Sequence, residues 1–252
     1  MSKSDQYQQE LQLAQNQEEY LFSKSGLPGP RSNLELLHVA AVICDEKTLR
    51  GWLDMSVEAA PENTPRVYLQ CIAVASLGRF ILQDDLPADK TKLRQFANDS
   101  RWRIRECTAM ALQTIGKVNA IKLAEITEPW LDGSLHELRA VAAAWAEPAV
   151  LKSSDYSKAK ALTFMDIITS RYQQDINRDK EAKRILKKGL EYCWSVVLAY
   201  NFEAGKALFE KWFFADADIQ KIMLVNLKKN RLIRKDALWV ANLQNKKGQF
   251  HA

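Results

Sequence analysis

Residues Asp99–Gln113 read DSRWRIRECTAMALQ, and a looser copy follows at Asp132–Glu147 as DGSLHELRAVAAAWAE. In each, an aspartate precedes an aliphatic–arginine pair, Ile104-Arg105 or Leu138-Arg139, and alanine-rich helical sequence follows. Arg105 and Arg139 stand 34 residues apart. A period in the thirties on a helical background signals stacked helical hairpins, because each hairpin must bury its apolar face on a neighbour.

The register extends outward. Leu69-Gln70 and Ile219-Gln220 occupy equivalent positions, with glutamine in place of arginine. Eight residues after the first member of each pair come Leu77, Leu112, Ala146 and Leu227. That gap is just over two helical turns, so both apolar residues share one face. Ala73, Ala109 and Ala143 lie between them, and small side chains there let helices approach closely. The pattern predicts helices near 5–22, 33–44, 47–59, 64–82, 89–98, 101–116, 119–131, 134–146, 155–173, 179–199, 202–213, 216–229 and 231–242. The breaks carry proline, glycine or good N-cap residues. At the first long break, Ser32 with Glu35 reads as a capping box. The repeat register is not fixed between 155 and 200.

Composition agrees with a helical protein. The 252 residues are 47% hydrophobic and 27% charged, with 9 Gly and 7 Pro, too few for many tight β-turns. The run VAAVIC, residues 39–44, falls far short of the ~20 apolar residues a membrane helix needs. No basic-then-apolar leader opens the chain, so the expected compartment is the cytoplasm. Cys44, Cys71, Cys107 and Cys193 are widely spaced with no C-x-x-C pair, which reads as free buried thiols and no zinc or redox motif. No phosphate loop, nucleophile elbow or zinc-protease motif occurs, and no cofactor or metal is expected.

Charge is uneven. Residues 1–100 hold 10 Lys+Arg against 14 Asp+Glu, whereas residues 151–252 hold 20 against 11. The basic second half admits a polyanion partner.

The Asp99–Gln113 stretch resembles a HEAT repeat: aspartate, four residues, a β-branched residue, arginine, then alternating small residues and leucine. Asp132–Glu147 is similar, with one extra residue before Leu138-Arg139. The segment LPGPRSNLELL, residues 27–37, resembles the start of a group of bacterial HEAT-type proteins with no assigned activity. The resemblance implies an all-α fold: a right-handed α-solenoid of about six stacked antiparallel helix pairs. A capping helix over 1–24, a single solenoid domain over 25–243 and a tail over 244–252 are then expected. In such repeats Asp99, Arg105, Asp132 and Arg139 would form a structural ladder, the aspartates capping helices and each arginine reaching the aspartate of a neighbouring repeat.

The HEAT-like alkylpurine DNA glycosylases give a more distant resemblance, and Arg101-Trp102-Arg103 would suit their basic, aromatic-lined cleft. No W-x-x-x-D segment accompanies it, so no catalytic residue is assigned. Trp52, Trp102, Trp130, Trp145, Trp194, Trp212 and Trp239 read mostly as wedges between helices, with Trp102 and Trp130 expected at the surface. Arg178, Lys180, Lys183, Arg184, Lys187 and Lys188 form one basic group, and Lys228, Lys229, Arg231, Arg234 and Lys235 form another. From these, Lys183, Arg184, Lys187, Lys188, Lys228 and Lys229, with Arg101, Trp102 and Arg103, are the candidate polyanion-binding residues. His38 is expected partly buried, and His251 lies in the tail. The expected function is a non-enzymatic binding or scaffold module for a protein partner, using the concave face of the solenoid. The alternative is a nucleic-acid-binding protein. Oligomeric state is not legible.

Overall fold

A computed structural model describes residues 2–175 and 179–250. Among these the chain forms sixteen α-helices, one 3-10 turn and no strand. It divides into two compact units, Met1–Ile115 and Gly116–Ala252. No described helix is long and apolar enough to cross a membrane.

The first unit holds α1 (Lys3–Leu13), α2 (Gln17–Lys24), α3 (Leu34–Ile43), α4 (Glu46–Leu53), α5 (Pro65–Asp84), α6 (Pro87–Phe96) and α7 (Trp102–Val118), whose last turn belongs to the second unit. Its centre is α5, which packs against α2, α3, α4 and α6. Every residue of α5 from Val67 to Gly78 is buried, so the helix is enclosed on all faces. Gly78 allows the closest approach: a Cβ there would stand 2.4 Å from the Ala111 carbonyl of α7.

The second unit holds α8 (Ala120–Thr127), a 3-10 turn (Glu128–Trp130), α9 (Leu135–Trp145), α10 (Pro148–Ser153), α11 (Asp155–Gln174), α12 (Lys180–Tyr200), α13 (Phe202–Phe213), α14 (Ala217–Leu227), α15 (Asn230–Ile233) and α16 (Ala237–Gln244). Here α12 is central and packs against α9, α10, α11, α13, α14 and α15. Trp194 on α12 is fully buried and donates to Thr169 Oγ1 at 2.9 Å, and Trp145 does the same to Thr127 Oγ1 at 3.1 Å. A buried indole N–H left without a partner would cost free energy, and these threonines supply one.

The predicted register positions are buried. Leu69, Leu77, Ile104, Leu112, Leu138, Ala146, Ile219 and Leu227 all lie in the core. Four expectations need correction. The predicted helix over 5–22 is two helices, because the Asn16 side chain accepts from Glu19 N–H and starts α2 anew. The cap of α3 is Asn33, not Ser32: its Oδ1 accepts from Leu36 N–H at 3.1 Å. The last predicted helix is two, α15 and α16, separated where Asp236 caps α16. And α10 fills a predicted loop, because Pro148 stands at the first helical position, where its missing N–H costs nothing.

Candidate functional site

The segment between α2 and α3 is a folded loop. Asn33 N–H donates to Ser25 O at 2.8 Å, closing it, and Leu27 N–H donates to Ser25 Oγ at 3.1 Å. The peptide Leu27–Pro28 is cis, and Gly26 takes φ +75°, a left-handed conformation that favours glycine. Gly29 N–H reaches Asn63 Oδ1 at 2.9 Å, which ties the loop to the turn before α5.

Arg103, in the first turn of α7, clamps the same two segments. Its Nη2 donates to Gly29 O at 2.7 Å and its Nη1 pairs with Glu62. Trp102 stacks on this guanidinium, with Cζ 4.4 Å from the ring centroid. Arg103 is therefore 5% exposed while its neighbour Trp102 is 46% exposed. The result is a rigid indole presented to solvent on a buried cation.

Beside it lies a cavity of about 260 Å³, lined chiefly by Leu34, Cys71, Trp102, Cys107 and Met110. Leu34 is 47% exposed at its edge. Arg31 and Glu106 also border it, and Arg103 Nε faces no acceptor although it is buried. Arg31 is exposed and makes no ion pair among the described residues. The arrangement is an apolar depression with charged groups at its edge, formed by two stretches the sequence marks out, LPGPRSNL and RWRIR.

Arg101 has a different task. Its Nε and Nη2 hold both Asp99 carboxylate oxygens, at 2.8 and 2.7 Å. Its Nη1 donates to Gln70 Oε1 at 2.6 Å and to Ala60 O at 2.9 Å. The Asp99 carboxylate raises the Arg101 pKa against the opposing effect of burial. Thus Asp99 meets Arg101 and not Arg105. Arg105 Nη1 instead donates to the carbonyls of Asp99 and Ser100, at 2.6 and 2.9 Å. Gln70 does likewise with Leu53 O and Met55 O, and Gln220 with Phe213 O and Gln249 O. The shared task at this repeat position is to satisfy carbonyls at helix ends and in turns, and glutamine performs it as arginine does.

The second pair is arranged otherwise. Asp132 is 90% exposed, 3.6 Å from Arg171, and does not cap α9. Ser134 does, in a capping box with Glu137. Arg139 lies along α12, where a Cβ on Gly189 would meet its Cδ at 2.4 Å. It is a strut between α9 and α12.

The expected polyanion-binding residues divide. Arg101 and Arg103 direct their Nη donors inside the first unit. Lys183 donates to Asp175 O, Arg184 pairs with Glu181, and Lys187 pairs with Asp218. Lys188, Lys228 and Lys229 have no carboxylate partner among the described residues. Arg178 and His251 lie outside the described residues. Trp130 is buried at 3%, against expectation, because the 3-10 turn directs it inward, and His38 is exposed. Sequence reading missed Glu62 and Asn63, whose role depends on a contact about forty residues away. It also missed that Cys71 and Cys107 line one cavity. No protein-family model, no curated protein and no solved structure matches the chain.

Proposed function

We propose that the protein is a HEAT-like α-solenoid acting as a non-enzymatic binding module, and that it docks a protein partner at the Leu34–Trp102–Met110 depression. Its interhelical bonds support the repeat reading. In the first unit, Trp52–Glu18, Tyr68–Asn33 and Arg50–Asp89 join residues 34, 35 and 39 apart. In the second, Lys206–Asp236, Lys187–Asp218 and Asn226–Leu190 join residues 30, 31 and 36 apart. Such spacing is what hairpins bonded only to their neighbours produce.

The observation that carries the binding role is the half-exposed Trp102, held on a buried arginine at the edge of an apolar cavity. Tryptophan is enriched among residues that dominate binding energy, and a preorganised ring loses little freedom on contact. Affinity capture from lysate, with and without nuclease, tests the reading. Wild type is expected to retain a protein that survives nuclease and that the Trp102→Ala/Leu34→Ser variant loses. Equal retention by both proteins contradicts it.

A second reading is nucleic-acid binding, favoured by Lys188, Lys228 and Lys229, which have no carboxylate partner among the described residues. It requires binding to duplex DNA or RNA that weakens steeply with salt. Salt-insensitive binding, or none, removes it.

A further inference from the structure

Cys71 and Cys107 stand on neighbouring helices, α5 and α7, and line the same cavity. Both are buried, and both side chains border the one cavity. The helices are held together further along by the Gly78–Ala111 approach. Cys44 ends α3 and Cys193 lies within α12; neither lines this cavity. The half-exposed Leu34 and Trp102 border the cavity, so solvent reaches it. Its volume of about 260 Å³ exceeds several-fold the ~30 Å³ share of one water molecule, which leaves room for a small solute.

We propose that Cys71 and Cys107 form an oxidisable dithiol that closes to an intramolecular disulfide when hydrogen peroxide enters this cavity. One thiol loses its proton and its sulfur attacks a peroxide oxygen. The O–O bond breaks, a sulfenic acid forms and one water leaves. The second sulfur then attacks the first, the S–O bond breaks, and a second water leaves with the remaining thiol proton. The two thiols together give up two electrons and two protons, and the peroxide becomes two waters. The product ties α5 to α7 covalently beneath Trp102. The neighbouring Cys71 thiol and burial raise the Cys107 pKa and favour its protonated form. The inference does not depend on the docking role of the cavity.

Peptide mapping of the full chain after peroxide treatment tests it. Of the four thiols, two are expected to disappear together, with the peptides containing Cys71 and Cys107 joined, the mass of two hydrogens lost, and both changes reversed by dithiothreitol. Cys44→Ala/Cys193→Ala should give the same joined peptides. Should that variant fail to fold, the wild-type map decides alone. Thiol loss spread evenly over all four cysteines overturns the proposal. So does oxidation of Cys71 or Cys107 to sulfinic acid without a cross-link. So does persistence of both thiols under conditions that oxidise the denatured chain.

Discussion

Arg101 Nη1 donates to Gln70 Oε1 across 2.6 Å, and both residues are almost wholly buried. This bond joins the turn before α7 to the middle of the first unit. Asp99 balances the charge and Ala60 O takes a further donor, so the guanidinium is matched in the interior. Removing it leaves a part-buried carboxylate and a buried amide oxygen without their main partner. Arg101→Ala should therefore destabilise the protein by about 3 kcal/mol, the usual cost of breaking one side of a buried pair. Urea unfolding measures this, and a change below 1 kcal/mol would refute the strut.

Arg105→Ala should lower the melting temperature too, but by less. Arg105 satisfies two carbonyls at the surface of the unit and is only partly buried. A loss of about 1–2 kcal/mol is expected. A melting temperature equal to wild type would contradict its assigned task.

Two glycines make opposite predictions. Alanine is ordinarily the better helix former by about 0.5–1 kcal/mol. Gly51 in α4 has open space at its Cβ position, so Gly51→Ala should stabilise by that amount. At Gly78 the added carbon meets the Ala111 carbonyl, so Gly78→Ala should cost about 1–3 kcal/mol. Denaturation of the two variants side by side checks the close approach of α5 and α7.

Ser134→Ala should cost about 1 kcal/mol, because it removes the α9 capping box. Asp132→Ala should change stability by less than about 0.5 kcal/mol, since its ion pair is exposed. The reverse ranking would restore Asp132 as the cap.

Acid should weaken the second unit through Asp218 and Asp236. Burial alone would raise Asp218, but hydrogen bonds from Lys187 and Tyr172 outweigh it and hold its pKa below the ordinary value. Asp236 is lowered by the Trp239 N–H it caps and by Lys206. A depressed carboxylate stabilises above its unfolded pKa of about 4, and that stabilisation fades as pH falls through the folded value. Melting temperature should thus drop below about pH 4, and Lys187→Met should shrink the drop. A profile flat into strong acid would argue against these pairs.

Much of the helical framework was readable in the chain. The predicted span 202–213 coincides with α13, and the buried series from Leu69 to Leu227 follows from spacing alone. Local signals with two meanings misled. Pro148 starts α10 between two predicted helices, and Ser32 and Asn33 both make acceptable caps. Partner choice was not readable. That Arg101 holds Asp99 depends on where Gln70 and Ala60 stand, far away in sequence. The cavity escaped for the same reason, since its walls come from the 30–34 loop, α5 and α7.

The central claim is that Trp102 anchors a protein partner, and the most direct measurement is the affinity of a captured partner for wild type and for Trp102→Ala. With circular dichroism confirming that the variant is folded, calorimetry should show a loss of at least about 2 kcal/mol, roughly thirtyfold in Kd. A Kd within about twofold of wild type, less than 0.5 kcal/mol, would contradict the account.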